Sequence, residues 1–329
     1  MHNNLGNVFH KEGRLNDAIG QFQQALAIEP DNPEANNNLG NVLSDQGKLD
    51  DAARYYRRAL KSAEGSSAVY YNLAVTLSSQ GRFSQAAEYC RMVLDIEPDN
   101  IKARYRLAVA MGAQGLFDEA IKNYRQVLAA EPGNLQAMSN LGGILQLKGD
   151  PAGAQEYYLK ALRIDSNSAE VNYNLAVTLH SQGQFQKAQD YLRRSLQTSP
   201  DNAQAHYYLG LVLGPQGDIN GAVRSFRRVL ELKPDHLPAL NVLARILASY
   251  PDTKLRDVNE AIVFAERAVK LTDHKDPAVL DTLAACYAAA GRMEDAVSAA
   301  NKAIEAALAA KNTALAEQIR RQMELYKAK

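Results

Sequence analysis

An all-α solenoid of stacked helix pairs is the fold class this 329-residue chain predicts, and three observations predict it. One pattern recurs about every 34 residues along nearly the whole chain: Leu, Gly or Ala, a large apolar residue, Gly, Ala, an aromatic or small residue, Ala or Val, and Pro. Small residues stand at fixed places in each unit, where two helices would cross. Gly and Pro punctuate each unit, where one helix would stop and the next begin.

The first unit reads Leu5, Gly6, Phe9, Gly13, Ala18, Phe22, Ala25 and Pro30, and the second Leu39, Gly40, Leu43, Gly47, Ala52, Tyr56 and Ala59. Copies in register start at Leu73, Leu107, Leu141, Leu175 and Leu209. A degenerate unit begins at Leu237, and a final one carries Leu283, Ala284, Tyr287, Gly291, Ala296, Ala300 and Ala303. If Leu5 is position 7 of a unit, Gly or Ala falls at position 8 and Ala at positions 20 and 27, which lets the first helix (A) and second helix (B) cross closely. Gly at position 15 takes the left-handed conformation that closes helix A, and Pro at position 32 cannot continue helix B. Asp-Asn pairs after that Pro, such as Asp31-Asn32, Asp99-Asn100 and Asp201-Asn202, supply turn formers and capping oxygens for the next helix.

These residues resemble the tetratricopeptide repeat, and the resemblance covers essentially the whole chain. It implies a right-handed superhelical solenoid of about nine repeats forming a single array over 1–329. The repeats run over about 1–32, 33–66, 67–100, 101–134, 135–168, 169–202, 203–236, 237–276 with an insertion, and 277–310. A capping helix is expected over 313–329, with Leu315, Ile319 and Met323 along one stripe. In the eighth unit Pro251 to Asp257 replaces the usual Gly turn, predicting a bulged loop five residues longer than its counterparts. Met1 falls at position 3 of its repeat, so the natural protein is expected to continue upstream. From about Leu240 onward the chain resembles the C-terminal portion of bacterial tetratricopeptide proteins, some of which carry a membrane glycosyltransferase domain upstream.

Composition sets bounds. With 37 basic and 37 acidic side chains the net charge is zero, so no global field draws the chain to nucleic acid or acidic membranes. No apolar run is long enough to span a bilayer, and residues 1–13 lack the apolar stretch of a secretion signal. The expected compartment is the cytoplasm, or an extracytoplasmic space if the chain belongs to a membrane-anchored longer protein. Cys90 and Cys286 occupy slots where other repeats bury a residue, so both read as core thiols, too distant in the array to pair. His180 and His206 can face the groove, yet neither has a nucleophile or carboxylate at an activating spacing. There is no phosphate-cradling glycine loop, HExxH pair or zinc-ligand spacing, so no enzyme, metal or cofactor is expected.

Function is then sought on the inner stripe of the A helices. If positions 3, 7, 8 and 11 pack, positions 2, 5, 6, 9, 12 and 13 share the opposite face. Position 6 is Asn in five units (Asn4, Asn38, Asn72, Asn140, Asn174), with Arg106 and Tyr208 in two others. A regularly spaced amide can donate to and accept from an extended peptide backbone without reading its sequence. This row is similar to the asparagine ladder in the repeat region of O-linked N-acetylglucosamine transferase, whose inner asparagines hold peptide backbone. None of that enzyme's catalytic domain is present. Tyr71, Tyr105, Tyr173 and Tyr207 stand at position 5 and either offer contact area to a ligand or pack against the neighbouring A helix.

Tetratricopeptide domains that grip a C-terminal carboxylate carry Lys and Asn at positions 5 and 9, Asn at position 6 of the next repeat, and Lys and Arg at positions 2 and 6 of the third. Asn41, Asn72, Lys102 and Arg106 match four of these five places, while Asn37 stands where the first Lys belongs. The resemblance therefore implies a carboxylate clamp weakened by that loss, although the repeat consensus supplies both asparagines regardless. On the outer helices Arg57, Arg58, Arg91, Arg125, Arg193, Arg194, Arg227 and Arg228 read as a solvated face rather than a nucleic-acid ridge, because interleaved aromatics are missing. The favoured function is a non-catalytic adaptor that holds a segment of a protein partner. The alternative is the substrate-recruiting arm of a larger enzyme, a glycosyltransferase in particular, and end-to-end self-association through the first repeat is a third possibility.

Overall fold

The computed structural model describes residues 1–63, 65–250 and 256–328. Among the described residues the chain is nineteen α-helices with no strand. Consecutive helices contact each other as A/B pairs. The pairs are α1 (His2–Lys11) with α2 (Leu15–Ile28), α3 (Pro33–Asp45) with α4 (Leu49–Ser62), α5 (Ser67–Ser79) with α6 (Phe83–Ile96), α7 (Ile101–Ala113) with α8 (Phe117–Ala130), and α9 (Leu135–Leu147) with α10 (Pro151–Ile164). They continue with α11 (Ala169–Ser181) and α12 (Phe185–Thr198), α13 (Ala203–Leu213) and α14 (Ile219–Leu232), α15 (Leu237–Ser249) and α16 (Val258–Leu271), and α17 (Pro277–Ala289) and α18 (Met293–Ala309), followed by α19 (Thr313–Lys327). Backbone contacts divide the chain into two compact units, one ending at Ser166 with α1 to α10 and one starting at Asn167 with α11 to α19.

The repeat positions act as their chemistry requires. Helix A closes on a left-handed glycine, as at Gly47 (φ +75°) and Gly183 (φ +73°), where a side chain would strain the turn. The following A helix is capped by the Asn after the Pro: Asn32, Asn100 and Asn202 accept from the backbone N–H of Ala35, Ala103 and Ala205 at 2.8, 2.9 and 3.1 Å. In repeat 8 a histidine does the same work, with His236 Nδ1 accepting from Ala239 N at 3.2 Å.

Within each pair the core is set by positions 8 and 24. A Cβ added at Gly6, Gly40, Gly142 or Gly210 would lie 2.6 to 2.7 Å from the ring of Phe22, Tyr56, Tyr158 or Phe226 on the paired B helix. Where position 8 is Ala, as at Ala74, Ala176 and Ala284, the facing residue is the smaller Cys90, Leu192 or Ala300, all buried. Ala108 opposite Tyr124 is the exception, and there the Tyr124 ring makes an edge contact with Tyr105 at 5.9 Å. Cys90 and Cys286 are buried thiols pushed up to about 12 by desolvation.

The link between α15 and α16 is five residues longer than the three-residue links of most pairs. Of the bulge expected there, residues 251–255 lie outside the described residues. At its far end Asp257 N donates to Leu247 O at 3.1 Å, and the Asp257 carboxylate caps α16 by accepting from Glu260 N at 2.9 Å. In α19, Ile319 and Met323 are buried as expected and Leu315 only half-buried, while Ala316 and Tyr326, outside the expected stripe, are buried too.

Candidate functional site

In the first unit, the position-6 amides of α3, α5 and α9 reach back to position 5 of the A helix before them. Asn38 Nδ2 on α3 donates to Asn3 Oδ1 on α1 at 3.2 Å. Asn72 Nδ2 on α5 donates to Asn37 Oδ1 and Asn41 Oδ1 on α3 at 3.1 and 3.0 Å, and Asn140 Nδ2 on α9 donates to the Tyr105 hydroxyl on α7 at 2.8 Å. The 34-residue period brings these side chains together, because it places identical helix faces side by side.

The bonds leave each amide with a defined remaining role. Asn72 has both N–H groups engaged, so Oδ1 is what it offers outward. Asn41 Oδ1 accepts from Asn72 and, at 2.8 Å, from the Tyr56 hydroxyl, so Asn41 offers its amide donors. One donor site and one acceptor site, on neighbouring helices, match the alternating C=O and N–H of an extended backbone. The sequence placed both asparagines on this stripe; the polarity of Asn41 depends on Tyr56, a core residue of helix B, and that of Asn72 on Asn37 and Asn41.

Of the four residues that the sequence suggests for a carboxylate clamp, the structure joins Asn41 to Asn72 by a direct hydrogen bond. Lys102 is exposed and Arg106 half-buried on α7, and Arg106 lies 5.9 Å from the Tyr105 ring centroid. Neither cation forms an ion pair among the described residues, and Asn37, at the place of the missing Lys, accepts from Asn72 instead. Tyr71 is half-buried beside them.

The second unit presents a different face. Tyr208 on α13 is ringed by Tyr173 of α11 at 5.8 Å, His180 of α11 at 5.7 Å and its own neighbour Tyr207 at 6.0 Å, all edge-to-face. Tyr207 also meets Phe226 at 5.8 Å and His236 at 5.0 Å. Burial raises the Tyr173 hydroxyl to about 12 and pushes Tyr207 up as well, with Tyr208 adding to both; burial lowers His180 and His236. The cluster is therefore uncharged at neutral pH. Asn174, half-buried, adjoins Tyr173 in the chain. His206 points away from this group and bonds the Pro200 carbonyl oxygen at 2.8 Å. Sequence reasoning singled out His180 but missed His236, whose signal is its place one residue before a Leu-Pro helix start.

On the outer helices Arg228 pairs with Asp201 at 2.7 Å and Glu231 at 2.8 Å, while Arg58 and Arg194 lie over Tyr55 and Tyr191, so aromatics do interleave with the outer arginines, contrary to the expectation from the sequence. Among the described residues no helix is long and apolar enough to cross a membrane.

Stacked A/B pairs with a repeated side-chain row define an α-helical repeat protein. Family models of the tetratricopeptide repeat match residues 6–47, 37–101, 102–134 and 133–201, and the cilia and flagella-associated protein 70 middle TPR-like domain matches residues 173–309. The chain belongs to the tetratricopeptide repeat family. Among solved structures, the C-terminal part of a TPR repeat-containing protein from Cytophaga hutchinsonii is 15% identical, covering 72% of this chain and 98% of its own, with a TM-score of 0.58. Pseudomonas aeruginosa pilF is 22% identical over 64% of this chain and 96% of its own, with a TM-score of 0.56. MamA is 28% identical over 51% of this chain and 96% of its own, with a TM-score of 0.46. No curated protein matches the sequence.

Proposed function

We propose that this protein is a non-catalytic scaffold that holds an extended segment of a partner protein along the inner face of its A helices. The observation that carries this reading is the polarised asparagine row of the first unit, with Asn41 offering donors and Asn72 offering an acceptor on adjacent helices. Rows of this kind suit main-chain recognition, where hydrogen bonds supply affinity and neighbouring side chains supply selectivity. Tyr105 and Tyr71 flank the row with rigid, half-buried area.

Lys102 and Arg106 add an anion-reading end, and a C-terminal carboxylate or an acidic side chain of the segment is what they would hold. A peptide selected from a display library on the full chain, titrated as free acid and as C-terminal amide against wild type and Arg106→Ala, tests this. Weaker binding on both amidation and substitution supports a carboxylate reader. Binding indifferent to both removes the anion site and leaves the amide row, and selected peptides that bind equally to an Asn41→Ala/Asn72→Ala variant overturn the reading.

A further inference from the structure

The aromatic cluster of the second unit lies on its first two A helices. Tyr208, Tyr173 and Tyr207 are all only half-buried, although Tyr207 also packs against the core through Phe226. Several other partly exposed rings lie under cations of the same chain. Arg14 lies over Phe9 at 4.1 Å, Arg292 over Tyr287 at 4.3 Å, Lys160 over Tyr157 at 4.9 Å and Arg194 over Tyr191 at 5.2 Å. Among the described residues no Lys or Arg sits over Tyr173, Tyr207 or Tyr208.

Charges of both signs act near this face, since the Lys233 charge is felt at His236 beside Tyr207. Ring faces carry the negative part of an aromatic quadrupole, and burial keeps the two histidines of the cluster uncharged at neutral pH. On the inner stripe of repeats 6 and 7, which runs through Tyr173, Asn174, Val177 and His180 to Gln204, Tyr207, Tyr208 and Leu211, the ionised side chain is Glu170. The corresponding position-2 residue of repeat 4 is Lys102, of opposite charge.

We infer that the Tyr173–Tyr207–Tyr208–His180 face is a subsite for a cationic side chain, an arginine guanidinium, carried by the bound segment. This rests on the reading of the A-helix face as the peptide-binding surface and adds a side-chain preference to it. Arg is the better fit than Lys because its planar, weakly hydrated head stacks on ring faces while its N–H fork reaches the tyrosine hydroxyls.

The test uses the full chain with 13C-labelled tyrosine rings and two blocked peptides, acetyl-Gly-Ser-Arg-Gly-Ser-Arg-amide and its citrulline counterpart, which keeps the shape and removes the charge. The amidated end keeps the Lys102–Arg106 site out of the measurement. The arginine peptide is expected to shift the Tyr173, Tyr207 and Tyr208 resonances and to bind about fivefold more tightly than the citrulline peptide. Tyr208→Phe keeps the ring and should hold that preference, whereas Tyr208→Leu should abolish it with the far-UV spectrum unchanged. Equal binding of both peptides, or shifts confined to other tyrosines, overturns the subsite. Shifts at Tyr71 and Tyr105 without shifts at Tyr208 would spare the scaffold reading and reject this one.

Discussion

Substituting Gly210 by Ala should destabilise the second unit, although Ala is the better helix former. Gly210 lies on α13 against Phe226 of α14, and an added Cβ would stand 2.6 Å from Phe226 Cε1 and Cζ and 3.0 Å from Cδ1. Phe226 is 1% exposed, so its ring cannot swing into solvent. Overpacking of a filled core costs about 1–3 kcal/mol, and the helix-propensity gain of Ala over Gly returns about 1 kcal/mol, leaving a net loss of up to about 2 kcal/mol. Phe226→Leu removes the obstruction and reproduces the Ala176–Leu192 pairing of the preceding repeat. The double variant should therefore be more stable than the sum of the two single changes by about 2 kcal/mol, a coupling well outside ordinary additivity. Urea unfolding followed by far-UV circular dichroism, with amide exchange read in α13 and α14, measures it. A Gly210→Ala chain more stable than wild type, or single effects that simply add, would refute the packing argument.

Further expectations follow from the same geometry. Asn72→Asp replaces the inward donors by a carboxylate facing Asn37 Oδ1 and Asn41 Oδ1, so it should cost about 1–3 kcal/mol in thermal or urea stability, while Asn72→Ser should cost less. Asp281 is nearly buried on α17 with Arg245 at 3.5 Å, and burial outweighs that cation to raise its carboxyl above the usual range. Its stabilising contribution is full at low pH and lost as pH rises through the raised value, so Asp281→Asn should raise the melting temperature at neutral pH and flatten its pH dependence. His180 and His236 are held below the usual imidazole value, so the stability they lend is full above about pH 6.5 and lost as pH falls through their lowered values. A His180→Phe variant should lose part of that acid-side decline in a melting series from pH 7.5 to 4.5.

The repeat architecture was legible because periodicity averages out local accident: eight copies of Leu, small, Gly and Ala at one spacing outweigh any single deviant residue. The Asn row was legible for the same reason, since equal positions on stacked A helices must adjoin. What escaped was what depends on two helices at once. The rule that Gly at position 8 faces a ring at position 24, while Ala usually faces a smaller residue, is written in the sequence as pairs sixteen apart, and it becomes readable only once both positions are known to touch. The polarity of Asn41 depends on Tyr56 from the B helix, and the aromatic cluster recruits His236 from the start of the next helix. Tyr326 is buried at the end of a helix whose stripe had been drawn through three earlier residues.

The central claim is that the inner face of the A helices, rather than the arginine-bearing B helices, receives the partner. Fluorescence anisotropy with display-selected peptides on three chains tests it most directly: wild type, Asn72→Ala/Asn140→Ala, and Arg57→Ala/Arg58→Ala. The account predicts binding at least about tenfold weaker for the asparagine pair, the loss of two or more hydrogen bonds, and unchanged for the arginine pair. Full binding by the asparagine variant with loss in the arginine variant would contradict it.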